Sequence, residues 1–250
     1  MPRSPDPAIG ADRVDPSEER YMLKRDRYSS HAQIAAWLRA FRARRPDRAE
    51  CAVLDIGCAR GFLGFWLSGP EFYLMGVDND AGALADIHPN YRQTVQADIE
   101  SLPALDLDRR PDVMVLADVL EHCRDAAEVL TSLCRGHLAP GAAVVISLPN
   151  IAHLHVRLSL LLGRFDYADR GLLDRTHLRF FTFRTAWDLC TRCAIHVEQI
   201  AVTPTPLPLI DPGFAEGGPL HALHRVNFWA TRVFKRLLGY QFIFFGTYQP

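Results

Sequence analysis

The sequence predicts one doubly wound α/β domain built on a mainly parallel sheet. Short apolar runs alternate with segments of helical periodicity, which is the pattern of parallel βαβ units. The runs are continuous rather than alternating, and this predicts strands that are buried on both faces. A chain of 250 residues with 48% hydrophobic residues is large enough for one such domain and its core.

The predicted elements follow one another along the chain. Apolar residues at helical spacing predict helices over 27–42, 61–67, 81–87, 126–133, 186–193 and 223–238. Apolar runs bounded by turn residues predict strands over 51–56, 72–77, 91–97, 112–117, 142–148, 195–202 and 240–248. We expect the last strand to run antiparallel to the others.

Composition divides the chain into segments. Residues 1–20 are polar and proline-rich, which predicts a disordered tail that lacks the apolar core of a secretory signal. We expect an N-terminal cap helix within 21–49 and the main domain over 50–250. Residues 151–176 interrupt the alternation of strands and helices and predict an insertion that covers the substrate. No apolar run reaches the roughly 20 residues of a membrane span, so a cytoplasmic protein is expected.

The six cysteines are scattered through apolar segments, which predicts buried thiols in a reducing compartment rather than a disulfide framework. Cys190 and Cys193 have no second cysteine pair beside them, so we expect them to face the core at a helix end and not to bind zinc.

The charge distribution favours a small-molecule partner. The net charge of −1 gives no overall attraction to nucleic acid or to anionic membranes. The arginines of segment 39–48 have no aromatic residues suited to stacking between them, so we expect a solvated face and no nucleic-acid partner. Segment 223–238 is apolar on one face and basic elsewhere, a pattern that can lie on a membrane surface. We expect this face to pack on the sheet instead.

Acidic residues occur at or near the ends of four successive predicted strands: Asp55, Asp78, Asp98 and Asp118. In an open parallel sheet, ligands bind beyond the carboxyl ends of the strands. Any one of these residues could instead cap a helix. Four of them at successive strand ends, beside a glycine turn, indicate a ligand site.

The turn after the first strand carries two glycines, Gly57 and Gly61, which allow a ligand to approach the backbone closely. A dinucleotide-binding fingerprint would require glycine, or another small residue at its last position, where this chain has Ala59 and Phe62. The bulk of Phe62 argues against NAD or FAD, and therefore against a nicotinamide oxidoreductase.

Four segments together resemble the successive motifs of class I, Rossmann-like methyltransferases that use S-adenosylmethionine. They are VLDIGCARG, GVDND, QADIE and DVMVLADVLEH. The resemblance extends over about residues 28–248 and departs from many members at Ala59, where they have glycine. It implies a Rossmann-like seven-stranded sheet with S-adenosylmethionine as the cofactor.

The resemblance also implies a role for each part of the site. Asp78 would accept both ribose hydroxyls, because one carboxylate can take two hydrogen bonds. Asp55 and the region of Asp118 would face the amino-acid part of the cofactor, and Asp98 with Ile99 would hold the adenine. The residues expected at the cofactor are Asp55, Gly57, Cys58, Ala59, Gly61, Phe62, Asp78, Asn79, Asp98, Ile99, Ala117 and Asp118.

Methyl transfer needs an acceptor held in line with an already activated methyl group. A hydroxyl acceptor must also lose its proton. Asp118, Glu121 and His122 are spaced to share one face of a turn after the fourth strand, and His177 follows the insertion. We expect Asp118, His122 and His177 to be catalytic.

The same four residues resemble the divalent-metal site of ubiquinone-type and small-RNA 2′-O-methyltransferases. By this resemblance Asp118, Glu121, His122 and His177 would hold Mg²⁺ or a softer ion such as Mn²⁺ or Zn²⁺. The first ligand is Asp rather than Glu, a shorter side chain. Two alternatives remain open: His177 is a simple general base, or Glu121 and His122 only stabilise the loop.

Segment 151–176 resembles a bacterial branch associated with glycan or secondary-metabolite modification. Its leucines and arginines suit a polar acceptor with an apolar part, although an ordinary helix packed on the sheet is an equal alternative. We therefore expect O-methylation of a hydroxyl on a small molecule or sugar. The alternatives are an RNA ribose, a lipid quinone, or a non-catalytic partner subunit that binds the cofactor.

Overall fold

A computed structural model describes residues 26–101 and 104–250 of the chain. Seven strands form one sheet: β1 (Cys51–Ile56), β2 (Phe72–Asp78), β3 (Tyr91–Gln96), β4 (Val113–Ala117), β5 (Ala143–Pro149), β6 (Ile195–Thr203) and β7 (Gln241–Tyr248). Their order across the sheet is β3-β2-β1-β4-β5-β7-β6. Only β7 runs antiparallel to its neighbours among these strands, which confirms the predicted fold. The predicted tail, residues 1–20, lies outside the described residues.

Eight α-helices accompany these strands in the described residues. They are α1 (Ser30–Ala43), α2 (Phe62–Trp66), α3 (Ala81–Ala85), α4 (Ala126–His137), α5 (Leu154–Leu161), α6 (Phe183–Arg192), α7 (His221–Val233) and α8 (Lys235–Leu238). The side chains of Ser29, Asp80, Asp125 and Thr182 accept backbone N–H groups at the starts of four of them. These polar caps satisfy donors that a helix leaves without internal partners. The single helix predicted over 223–238 is divided into α7 and α8.

The helices cover both faces of the sheet. Along β1, Leu54 faces the side covered by α4 and α6, and Val53 faces the side covered by α1 and α2. The predicted apolar face of α1 is buried against the sheet, where the rings of Trp37 and Phe245 stack with centroids 5.0 Å apart. Both faces of the central strands are therefore buried away from water, as their continuous apolar sequences predict.

The prediction that every strand is a continuous apolar run is wrong for the two edges of the sheet. Along β3, buried or half-buried residues alternate with exposed ones. Most residues of β6 are half-exposed or exposed. Each edge strand has one neighbouring strand and is covered less completely by helices. Polar residues on these strands therefore keep contact with water.

The apolar face predicted for segment 223–238 does not pack on the sheet. In α7 the buried residues are His224 and Thr231, whereas Val226, Trp229 and Val233 are exposed. The reason lies in the neighbouring elements. Helix α7 contacts the edge strand β6, and its Phe228 stacks on the ring of Tyr28. The side that carries His224 and Thr231 faces inward, and the apolar stripe faces outward. Within the described residues, the predicted packing of this apolar face is therefore wrong.

All six cysteines lie within the described residues, and each is a buried free thiol, as predicted. Cys190 and Cys193 face the core at the end of α6. Over residues 26–101 and 104–250, no helix combines the length and the apolar character needed to cross a bilayer.

Replacing Gly76 by alanine should lower the free energy of unfolding by about 1–3 kcal/mol, the usual cost of overpacking a core. An added Cβ would lie 2.7 Å from the sulfur of Cys58 and 2.9 Å from the ring of Tyr91. The matched control is Gly136→Ala in α4, where the added Cβ meets no described atom within 4 Å. That substitution should stabilise the protein by about 0.5–1 kcal/mol. Urea unfolding measures both, and equal effects at the two positions would contradict the packing described.

Candidate active site

The acidic residues predicted at strand ends do lie at one edge of the sheet. Asp55 is the penultimate residue of β1, and Asp78 is the last residue of β2. Asp98 and Asp118 come shortly after the ends of β3 and β4. Strand β1 pairs with β2 on one side and β4 on the other, so the strand order reverses there. This is the position where open parallel sheets bind ligands.

The turn after β1 is held in an unusual backbone conformation. Gly57, Ala59 and Gly61 have φ angles of 67°, 47° and 74°, all in the left-handed region. The N–H groups of Gly57 and Cys58 both donate to the carbonyl of Val77, at 2.7 and 3.1 Å. A Cβ is accommodated in this region only at an energetic cost. Ala59 therefore adopts a conformation in which glycine would be less strained.

The packing around the turn gives a second reason for the glycines besides the one predicted. A Cβ at Gly61 would lie 2.7 Å from the ring of Tyr91, and one at Gly57 would lie 2.5 Å from Val119. The chain's own side chains thus fill the space where a Cβ would point. Close approach of a ligand is not needed to explain either glycine.

Asp78 ties the end of β2 to the turn. Its carboxylate accepts the N–H of Ala59 at 2.7 Å on one oxygen and the N–H of Asp80 at 3.0 Å on the other. Each carboxylate oxygen can accept a second hydrogen bond. The group is only half-buried, so it can still receive hydroxyl donors from a ligand. The neighbouring Asn79 is exposed, and its main-chain carbonyl accepts a hydrogen bond from the side-chain amide of Gln96 at 3.3 Å.

The adenine residues predicted from the resemblance lie on a short 3₁₀ turn, Ile99–Ser101. The carboxylate of Asp98 accepts the N–H of Glu100 at 2.9 Å, so Asp98 caps this turn. The capping alternative therefore holds at this position. Ile99 directly follows Asp98, and its half-buried side chain lies at the same edge of the sheet as Asp78.

Asp55 is buried beneath the glycine turn and accepts a hydrogen bond from the hydroxyl of Tyr91 on β3. Burial, with a smaller contribution from the charge of Asp78, raises the pKa of Asp55 to about 7 against the opposing effect of the Tyr91 hydrogen bond. Burial and the charge of Asp55 in turn raise the pKa of Tyr91 well above its ordinary value. The pair anchors β1 to β3 across the intervening β2.

Asp118 is fixed by partners from the two strands that follow β4 in the sheet. Ser147 on β5 donates to its carboxylate at 2.9 Å, and the amide of Gln241 on β7 donates at 2.6 and 2.7 Å. The amide oxygen of Gln241 accepts the hydroxyl of Thr203 at 3.1 Å. Asp118 has a φ of 60°, which is uncommon for a residue other than glycine. The network holds the carboxylate just beyond Ala117, the buried last residue of β4.

Three of the four predicted metal ligands come together, and Asp118 does not join them. Ligand atoms of Glu121, His122 and His177 all lie within 4.8 Å of one another. The two imidazole rings meet edge to face with centroids 4.9 Å apart. Asp118 is held by the network described above, so the predicted four-residue set is wrong within the described residues.

The backbone positions this cluster of Glu121, His122 and His177. The carbonyl of Glu121 accepts the N–H groups of Leu178 and Arg179 at 2.8 and 2.9 Å, which fastens His177 beside it. Nδ1 of His122 lies 3.2 Å from the carbonyl of Thr176. Donation from Nδ1 to this carbonyl leaves Nε2 of His122 as the ring atom that can accept a proton or bind a metal.

The electrostatic surroundings favour a neutral His177. Burial lowers the pKa of His177, and the neighbouring His122 lowers it further. Burial, together with the charge of Asp118, raises the pKa of Tyr240 to about 12, so its hydroxyl stays protonated at neutral pH. The site therefore combines a neutral imidazole with hydroxyl and carboxylate groups along one edge of the sheet.

Sequence reasoning missed four residues of the site: Tyr91, Ser147, Tyr240 and Gln241. The signal for Gln241 was available, because the first residue of an antiparallel strand lies at the carboxyl edge of its parallel neighbours. Ser147 was visible as the one polar residue of an apolar strand. Nothing in the sequence near Tyr91 indicates that it reaches Asp55 across β2.

A mainly parallel seven-stranded sheet with an antiparallel β7, a glycine turn after β1 and acidic strand ends is the architecture of class I, S-adenosylmethionine-dependent methyltransferases. Comparison with known families agrees. The family described as "Methyltransferase domain" matches residues 25–191, and the chain belongs to this family.

A curated relative is the ubiquinone biosynthesis O-methyltransferase of Paraburkholderia phytofirmans. It is 31% identical over 131 residues, which cover 50% of this chain and 55% of that protein. The matched region thus spans about half the length of the relative.

Solved structures confirm the fold. A methyltransferase from Archaeoglobus fulgidus has a TM-score of 0.55 at 20% identity, with 88% of this chain and 95% of that one covered. The magnesium protoporphyrin IX methyltransferase of Synechocystis PCC 6803, solved with bound S-adenosylhomocysteine, has a TM-score of 0.59 at 13% identity, with 95% and 90% covered. The 1,6-didemethyltoxoflavin N1-methyltransferase of Burkholderia thailandensis has a TM-score of 0.53 at 14% identity, with 89% of this chain and 80% of that one covered.

The raised pKa of Asp55 predicts a pH-dependent stability. Between its ordinary pKa of 3.8 and the folded value of about 7, the unfolded chain loses the proton that the folded chain keeps. Rising pH in this window therefore lowers the free energy of unfolding, by up to about 1.4 kcal/mol per pH unit. The Asp55→Asn variant has no titrating carboxyl group at this position, so its free energy of unfolding lacks this pH dependence. Urea unfolding of both proteins should give a difference that changes with pH, whereas a constant difference would mean that Asp55 is ionised in the folded chain.

Proposed function

We propose that this chain transfers the methyl group of S-adenosylmethionine to a hydroxyl group of a small molecule or a sugar. The observation that carries the proposal is the cluster of Glu121, His122 and His177 close to Asp118, beyond the end of β4. A hydroxyl acceptor needs a group that removes its proton, and neutral imidazoles suit that task. Amine acceptors need no such group once they are held neutral.

The cofactor is proposed to lie over the carboxyl edge of β1, β2 and β4. Asp78 receives the two ribose hydroxyls, for which its half-buried carboxylate has acceptor capacity left. The backbone of the turn from Gly57 to Gly61 lies against the methionine part. The adenine lies beside Ile99, and the amino group of the methionine part faces the carboxylate of Asp118, which Ser147 and Gln241 keep in place.

Proton removal is proposed to fall to His177, with His122 beside it. The lowered pKa keeps His177 unprotonated at neutral pH, so that it can accept the proton of the acceptor hydroxyl. The hydrogen bonds from Leu178 and Arg179 to Glu121 hold the ring at the edge of the sheet. The sulfonium is an activated donor, so the remaining task is to orient the acceptor behind the methyl group.

The cluster also fits a divalent cation. Two imidazoles and one carboxylate form a donor set that suits Mn²⁺, Fe²⁺ or Zn²⁺ better than Mg²⁺, which prefers oxygen ligands. Glu121, His122 and His177 would hold the ion. Bound there, it would make the acceptor hydroxyl more acidic.

A lipid quinone is the second candidate acceptor. The similarity to a ubiquinone biosynthesis O-methyltransferase favours it, and so do the exposed leucines of α5, among them Leu158 and Leu161. An RNA ribose is less favoured, because arginines of the basic segment bind the chain's own groups. Arg42 donates to the carbonyl of Arg45, and Arg48 pairs with Asp112 at 2.8 Å.

Replacing Asp78 by alanine should weaken binding of S-adenosylhomocysteine at least about 100-fold, because two charge-assisted hydrogen bonds to the ribose are lost. Isothermal titration calorimetry measures this directly. Asp80→Ala is the matched control, since Asp80 caps α3 and has no proposed contact with the cofactor. Equal losses in the two variants would remove Asp78 from the cofactor site.

Replacing His177 by alanine should leave S-adenosylhomocysteine binding intact and lower kcat at least about 100-fold, the usual contribution of a proton acceptor. The readout is methyl transfer from labelled S-adenosylmethionine to a panel of hydroxylated acceptors. His196→Ala, which removes an exposed histidine of β6, is the control and should retain full activity.

The same assay separates the open alternatives. Loss of activity in chelator, with recovery on addition of Mn²⁺ or Zn²⁺, supports a bound ion at the cluster. Insensitivity to chelator leaves proton acceptance by His177 alone. Full activity of His177→Ala would contradict both the bound ion and proton acceptance by His177. Cofactor binding without turnover on any acceptor would favour a non-catalytic partner subunit.

A further inference from the structure

Helix α7 exposes several large apolar residues to solvent and buries two polar ones, His224 and Thr231. His224 is 1% exposed and lies 2.9 Å from the carboxylate of Asp26. The opposite face contains Val226, Trp229 and Val233, which are 62%, 59% and 72% exposed. We call this surface the α7 outer face, and it comprises Leu223, Val226, Trp229, Val233 and Phe234. A soluble helix buries such a stripe against its domain.

A second group of exposed apolar residues lies nearby on and after α5: Leu158, Leu160, Leu161 and Leu162. The two helices are linked through Thr205. Its carbonyl accepts the side-chain amide of Asn227 in α7 at 3.0 Å, and its hydroxyl lies 3.3 Å from His153 at the start of α5. A cavity of about 280 Å³ lies between them, lined by residues that include Leu158, Asn227 and Leu238. Of the exposed apolar residues, Leu158 lines this cavity, and α7 contributes the polar side chain of Asn227 to it.

The charged residues of α7 and α8 are all basic. Four basic residues on and after α7 are exposed: Arg225, Arg232, Lys235 and Arg236. The sequence from 217 to 250 contains no Asp or Glu. The guanidinium of Arg232 lies 5.4 Å from the centre of the Trp229 ring, so charge and aromatic surface adjoin. The chain as a whole has a net charge of −1, and this end is therefore a local basic region.

We propose that the α7 outer face binds the surface of an anionic phospholipid bilayer. An apolar stripe with a tryptophan, flanked by Arg and Lys and free of acidic residues, matches the chemistry of a headgroup–acyl boundary. The apolar side chains enter the outer part of the acyl layer, and the cations contact lipid phosphates. This attachment does not depend on the identity of the methyl acceptor.

A second copy of the chain fits this surface less well. A two-fold contact places the same face against itself, because the interface of a symmetric dimer is self-complementary. Arg225 and Arg232 of one copy would then approach the same cations of the other, and no acidic residue after Glu216 could offset them. An anionic bilayer supplies the opposite charge that a second copy lacks.

The surface lies beside the carboxyl edge of the sheet. Asn150, which directly follows β5, donates its side-chain amide to the carbonyl of Gly239 at 2.8 Å and to that of Arg236 at 3.4 Å. The segment carrying the basic residues is thereby attached next to the strand end that holds Ser147. Attachment to a bilayer would place the candidate active site near the membrane surface.

The test is flotation of the full chain with vesicles of phosphatidylcholine, with and without phosphatidylglycerol. The chain should float with the anionic vesicles, bind neutral ones far more weakly, and dissociate as salt is added. Val226→Glu combined with Val233→Glu should abolish flotation. Arg225→Gln combined with Lys235→Gln should weaken anionic binding by about fivefold for each charge removed.

Two variants control for altered surfaces elsewhere. Phe65→Glu changes another exposed aromatic residue, on α2, and Arg184→Gln removes an exposed charge on α6. Both should float like the parent chain. The proposal is overturned by failure of the parent chain to bind anionic vesicles, by equal binding to neutral ones, or by unchanged flotation of the glutamate variant. A concentration-dependent dimer that the glutamate variant loses, without vesicle binding, would assign the face to a second copy.

Discussion

The turn at residues 57–61 is the constraint on which the rest of the candidate site depends. Its left-handed residues bring the backbone of β1 back over the edge of the sheet, where Asp78 accepts the N–H of Ala59. Tyr91 fills the space beneath, because Gly61, Gly64 and Gly76 leave room for its ring. Its hydroxyl satisfies the buried carboxyl of Asp55, which would otherwise be costly to bury. Turn, ring and carboxyl form one packed unit at the edge proposed to bind the cofactor.

A second unit lies on the side proposed for the acceptor. Ser147 and Gln241 hold Asp118 from β5 and β7, and the insertion of the antiparallel β7 between β5 and β6 is what brings Gln241 to this edge. The loop that carries His177 is fastened to Glu121 through main-chain hydrogen bonds. Rigid strands thus position one carboxylate, while a surface loop positions the imidazole. This division lets the acceptor side vary without disturbing the cofactor edge.

Most of the fold could be predicted from the sequence, because the central strands and their glycine turn depend on local patterns. Asp55, Asp78 and Asp118 were placed at the strand edge by the same reasoning. Contacts between distant segments could not be predicted in this way. The hydrogen bond from Tyr91 to Asp55 crosses β2. The hydrogen bonds from Gln241 hold Asp118 apart from the metal-ligand set to which the family resemblance assigned it. The outward face of α7 was missed because its pattern is that of a packed helix, whereas α7 contacts β6 and Tyr28 with its other side in the structure.

The most direct measurement of the central claim is a crystal structure of the protein with bound S-adenosylhomocysteine. The account predicts that the turn at 57–61 keeps its left-handed conformation and that both ribose hydroxyls donate to Asp78. It also predicts that the sulfur points towards the edge that carries Asp118 and His177. A ligand bound elsewhere, or a turn that must rearrange to admit it, would contradict the claim that the packed unit of Asp55, Tyr91 and the turn forms the cofactor site.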